Sequence, residues 1–92
     1  MLFNLLQKYN KNKVFIETGT LYGHGVIAAY KTNMFDEIHT IEIKQDLYNA
    51  CVEKYKGINT IKFHLGDSGV VLKKILDTID EPVTFWLDGH YS

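Results

Sequence analysis

Val14 to Gly25 reads Val-Phe-Ile-Glu-Thr-Gly-Thr-Leu-Tyr-Gly-His-Gly. An apolar, β-branched run ends in an acid, passes into a glycine-punctuated turn, and opens into a helical pattern. A strand that turns on glycines straight into a helix commits the chain to a βαβ arrangement, because the helix must cross back over the sheet it left. Glycines let the backbone turn tightly and approach another group without a Cβ in the way. The helix start points unpaired N–H groups at whatever lies there. Glu17 closes the strand as an acceptor facing that crevice.

The rest of the chain repeats this plan. Leu2, Leu5, Leu6 and Tyr9 mark one face of an opening helix, and Asn10 to Lys13 is a polar break. Val14 to Thr18 is the first strand. Gly23, Val26, Ile27, Tyr30 and Met34 share the next helical face. Ile38 to Ile43 is the second strand, and Leu47, Tyr48, Cys51 and Tyr55 form the following stripe, stopped by Gly57. Ile58 to Leu65 is the third strand, with Ile61, Phe63 and Leu65 alternating. Gly66-Asp67-Ser68 turns the chain into a helix whose stripe is Leu72, Ile75, Leu76 and Ile79. Pro82 opens the last segment, and Val83 to Leu87 is the fourth strand. The strand-to-strand period of about two dozen residues suits parallel βαβ units. The expectation is one α/β domain over residues 1–92, with a Rossmann-like parallel sheet and helices on both faces.

An acid stands at or just past each strand end: Glu17, Glu42, Asp67 and Asp88. In an open α/β sheet, ligands lie at the carboxyl ends of the strands, near the point where strand order reverses. Four acids along one rim would repel one another without a purpose there.

The glycine spacing narrows the ligand. It is G-x-x-x-G-x-G, so neither the dinucleotide fingerprint G-x-G-x-x-G nor the phosphate loop with its Lys is met. Glu17-Thr18-Gly19-Thr20-Leu21-Tyr22-Gly23 resembles the first motif of class I S-adenosylmethionine-dependent methyltransferases, in the E-x-G-T-x-x-G form of catechol O-methyltransferase-like enzymes. Gly66-Asp67-Ser68 is similar to that family's motif after the third strand, and Phe85 to His90 to the D-G-x segment of macrocin-type O-methyltransferases. The resemblance implies strand order 3-2-1-4. It implies that Glu17 and the turn Gly19-Thr20-Leu21-Tyr22-Gly23 bind S-adenosylmethionine, the turn, with Gly19, Thr20 and Gly23, approaching its methionine part. It implies that Glu42 accepts from the ribose hydroxyls, that Ile43 lies against adenine, and that in the cofactor-binding segment Gly66-Asp67-Ser68 it is Asp67 that accepts from the adenine amino group. Asp88 and His90 would face the methyl acceptor, Asp88 also being where a divalent metal such as Mg is held.

Plainer readings stand beside these. Glu42 is a solvated strand end or a helix cap. Asp67 or Ser68 is the N-cap of the next helix. His90 is a general base, a metal ligand beside Asp88, or a strand-end cap. His24 lines the pocket or opens a solvated helix, and His39 and His64 are structural or exposed. Cys51 is a buried small residue rather than a reactive thiol.

Composition adds exclusions. Net charge is −1, which argues against nucleic acid as a partner. All ten basic residues are Lys, so no bidentate Arg clamp enters any mechanism. One Cys excludes an internal disulfide and a Cys-based zinc site. No apolar run approaches a membrane span, and a reducing cytoplasm is the expected compartment. A complete class I enzyme carries further strands and helices, so the family pattern is that of the N-terminal, cofactor-binding half, whether a natural fragment or a truncated form. The fourth strand is then an apolar edge through which the chain would form a homo-oligomer. A small-molecule methyl acceptor is the expected substrate. An NAD- or nucleotide-binding domain and a non-catalytic interaction module are the alternatives.

Overall fold

The computed structural model describes residues 2–19 and 23–87. Over those residues the elements are α1 (Leu2–Tyr9), β1 (Val14–Thr18), α2 (His24–Lys31), β2 (Glu37–Glu42), α3 (Gln45–Lys54), β3 (Ile61–Leu65), α4 (Ser68–Leu76) and β4 (Val83–Leu87). The four strands form one sheet in the order β3-β2-β1-β4. All three pairings are parallel, with Glu17 opposite Thr40 and Trp86, and Glu42 opposite Leu65. Order and α/β class are those expected.

Strand alternation sorts the side chains into two cores. Phe15 and Ile38 point to one face and pack with Leu6, Val26, Ala29, Cys51 and Tyr55, so α1, α2 and α3 cover that side. Val14, Ile16 and Ile41 point to the other, where Ile75 of α4 meets them. The crossover changes face between α3 and α4, as the reversal of order between β1 and β4 demands. All five residues of β1 are buried, which suits a strand enclosed on both sides. Phe15 packs its ring against Phe35, with centroids 5.2 Å apart. Burying a side chain of this size stabilises by about 1.5–3 kcal/mol.

Boundaries differ from the sequence reading at four places, each for a local reason. β2 runs from Glu37, because Glu37 pairs with Val14, and stops before Ile43. β3 starts at Ile61, not Ile58: the Ile58 N–H donates to the Tyr55 carbonyl and the Ile61 N–H to the Ile58 carbonyl, closing turns instead of a ladder. α2 ends at Lys31, where Thr32 and then Asn33, with φ 58°, stop it; Met34 still packs on the core from the loop. α4 ends at Leu76, and Ile79 joins the second core from beyond it. The α1 stripe is only partly used, since Leu6 is buried while Leu5 and Tyr9 are exposed.

Candidate functional site

β1 delivers Glu17 to the α2 side of its own carboxyl end, where the carboxylate is 1% exposed. Thr40, directly opposite on β2, donates its hydroxyl to Glu17 Oε1 at 2.9 Å. The other oxygen lies against the first turn of α2: a Cβ placed on Gly25 would land on Oε2 and stand 3.4 Å from Trp86 Cδ1. Gly25 is therefore required by close approach. A helix N-terminus is a favourable place for a carboxylate. The sequence reading did not single out Gly25 or Thr40. The signal for Gly25 was the second glycine of Gly23-His24-Gly25; nothing local marked Thr40.

The turn between β1 and α2 is held at both sides. Gly19 has φ 79° and Gly23 φ 84°, conformations that glycine adopts without steric cost. Tyr55, past the end of α3, lies under Gly23, with its ring edge 2.7 Å from where a Cβ would sit. Thr20 belongs to the segment outside the described residues.

Backbone bonds tie the start of this turn to β2, and β2 to the turn after β3. The Gly19 N–H donates to the Ile41 carbonyl at 2.8 Å, and the Gly66 N–H donates to the Glu42 carbonyl at 2.9 Å. Gly19, Glu42 and Gly66 are thus adjacent on one rim of the sheet. Glu42 is 4% exposed, so it is not a solvated strand end. Its Oε2 accepts the Lys44 N–H at 3.0 Å, tying the strand end to the N-cap residue of α3. That bond reaches the N-cap residue itself, and α3 has no side-chain cap. Next to Glu42, Ile43 is 65% exposed, an apolar surface at the mouth of the rim.

Glu17 and Glu42 point to the same face, two residues out of step on adjacent strands, and Cys51 of α3 senses both. Burial pushes the Cys51 thiol above its ordinary value, and Glu17 and Glu42 push it further in that order, against a smaller opposing effect of Lys54. The thiol stays protonated and inert at neutral pH.

Asp67 stands apart from this pair. It is exposed, and its Oδ2 accepts the Val70 N–H at 3.2 Å as the N-cap of α4, of which Ser68 is the first residue. His24 is exposed at the start of α2. His39 is buried and bonded to Glu37 and His64. Asp88 and His90 lie outside the described residues. Among the described residues no group of three or more His, Cys, Asp or Glu side chains is placed to hold a metal, and no helix is long and apolar enough to cross a membrane.

No family model and no curated protein sequence matches the chain. Solved structures do. The chain is similar to the O-methyltransferase TomG from Streptomyces achromogenes, involved in tomaymycin synthesis and solved in complex with SAM, with a TM-score of 0.66 and 19% identity. That likeness covers 96% of this chain and 41% of TomG. It is also similar to SAM-bound CalS10, an amino pentose methyltransferase from Micromonospora echinaspora involved in calicheamicin biosynthesis, with a TM-score of 0.56 and 13% identity over 92% of this chain and 33% of that one. The chain spans well under half the length of either protein. What the two comparisons share with it is the class I S-adenosylmethionine-dependent methyltransferase fold, in its 3-2-1-4 portion.

Proposed function

We propose that this chain is the cofactor-binding half of an S-adenosylmethionine-dependent methyltransferase that transfers a methyl group to a hydroxyl of a small molecule or sugar. The observation that carries the reading is the rim on which Gly19 is bonded to Ile41 and Gly66 to the adjacent Glu42, with Glu17 buried beneath it. The rim fits the cofactor in chemical terms. The ribose hydroxyls are donors and Glu42 is an acceptor. Adenine is a flat apolar ring and Ile43 is an exposed apolar side chain beside Glu42. Gly19, Thr20 and Gly23 would present backbone to the methionine part, the Cβ side of Gly23 being taken by the Tyr55 ring. In the Gly66-Asp67-Ser68 turn, Asp67 would accept from the adenine amino group while also capping α4. Glu17 acts indirectly, holding Thr40 and the first turn of α2 in register.

The cofactor would supply a sulfonium methyl open to displacement by a substrate oxygen. The chain's own contribution is alignment, because a rigid rim fixes where donor and acceptor meet. Asp88 and His90 are the proposed acceptor-side groups, to orient the hydroxyl and take its proton, and Asp88 is where Mg would be held. The reading places the chain in a reducing cytoplasm.

Phe85 and Leu87 bear on a partner. They are 44% and 71% exposed on β4, which among the described residues has a strand neighbour on one side only. A second copy of the chain docking on this edge is the proposed homo-oligomer.

Thermal shift tests the cofactor. S-adenosylhomocysteine should raise the melting temperature, NAD should not, and Glu42→Ala should abolish the rise. A rise with NAD alone favours the nucleotide-binding alternative. No rise with either ligand, from a protein that elutes as an oligomer, favours the interaction module.

A further inference from the structure

Glu37, His39 and His64 stand on the sheet face that α4 covers, on the opposite side from Glu17 and Glu42. His39 Nδ1 faces His64 Nε2 across the β2–β3 pair at 3.0 Å, and the rings stack with centroids 5.2 Å apart. Behind them, His39 Nε2 donates to Glu37 Oε1 at 3.0 Å. In the β2–β3 ladder His39 pairs with Lys62 and His64 with Ile41, so the two rings meet as diagonal neighbours on one face. A groove of about 550 Å³ opens alongside, lined by His39, His64, Lys74 and Thr78 among others.

We propose that His39 Nδ1 and His64 Nε2 together bind a borderline divalent cation, for which zinc is the probe. Two nitrogens on one tetrahedral zinc, each about 2.0–2.1 Å from it, stand roughly 3.3–3.4 Å apart. The observed pair needs only a few tenths of an ångström of opening. Glu37 supplies what a ligating histidine needs behind it: a carboxylate on the other ring nitrogen, which fixes the tautomer and raises ligand basicity. With that proton on Nε2, the His39 Nδ1 lone pair points at His64. The proton on His64 Nε2 moves to Nδ1 through solvent when the metal enters, and none is released if both rings begin neutral.

Charge on this face is mixed. Lys62 lies opposite His39 in register and Lys74 lines the groove, and both oppose a cation. Glu37 offsets one positive charge. With two protein ligands, the remaining positions open to the groove and to water, so the site is weaker than a structural zinc centre. It lies on a different face from the cofactor rim and stands whether or not that assignment holds.

The test is zinc titration of the wild-type chain followed by thermal shift and by imidazole nitrogen resonances, with magnesium as the hard-cation control. Zinc should raise the melting temperature at about tenfold molar excess, move the His39 and His64 resonances, and leave His24 in place; magnesium should do neither. His64→Gln, on an edge strand and half-buried, should fold and lose both effects. Glu37→Gln should retain binding at roughly 10–100-fold lower affinity. The proposal is overturned if zinc moves neither observable, if His64→Gln keeps the wild-type response, or if Glu37→Gln binds as tightly as wild type.

Discussion

Glu17 illustrates how one buried carboxylate sets its neighbours. Its Oε1 takes the Thr40 hydroxyl, and its Oε2 occupies the volume a side chain at residue 25 would need. Gly25→Ala should therefore destabilise the fold by about 1–3 kcal/mol, the cost of overpacking, read as a lower urea midpoint with unchanged slope. Glu17→Gly in the same background should recover part of that loss, because residues in contact are not additive. Asp67 offers a cleaner separation. Asp67→Ala should cost about 1 kcal/mol through the lost N-cap, while Asp67→Asn, an equally good cap, should cost little. Equal losses in the two variants, measured by urea denaturation, would mean that charge and not capping is what Asp67 contributes.

At the scale of elements, β1 and β4 show the two conditions a parallel strand can meet. β1 is enclosed on both faces and both edges. β4 shares its register with β1, yet Phe85 and Leu87 remain exposed on the α4 side. Leu87→Lys should change stability by no more than about 0.5 kcal/mol and reduce self-association, followed by sedimentation across a concentration series. A wild-type chain that sediments as a monomer throughout would remove the proposed edge-to-edge contact. The apolar runs made these strands legible in the sequence, because period and glycine punctuation are local properties. The β3 start was not, since Ile58 reads as strand by composition and is claimed by turn bonds to Tyr55 and Ile61. The exposure of Leu5 and Tyr9 was equally hidden: periodicity shows that a face exists, not how much of it finds a partner.

Across the whole molecule, the rim gathers residues far apart in sequence. Gly19, Glu42 and Gly66 were each legible from their turns, and the strand order that makes them neighbours came with the family resemblance. Burial of Glu17 and Glu42 was not legible, because an acid at a strand end looks the same in sequence whether it faces water or packs under a helix. Thr40 and Gly25 were missed for the same reason: their roles exist only once β2 and α2 are laid against β1. The two carboxylates also make a global prediction through Cys51. Its thiol is raised in the folded state above the ordinary 9.0, first by burial and then by Glu17 and Glu42. Its contribution is fully present below 9.0 and is lost as pH rises through the folded value, since the unfolded chain gives up its proton first. Stability should fall from below to above that pH, and the fall should be smaller in Cys51→Ala, as read from urea midpoints.

The most direct measurement is a backbone amide NMR titration of the chain with S-adenosylhomocysteine. The account predicts saturable shifts at Gly19, Gly66 and the Glu42–Lys44 amides, with the His64 and Val83 amides unmoved. Shifts confined to β4 or the α4 face, or none at the rim at saturating ligand, would contradict it.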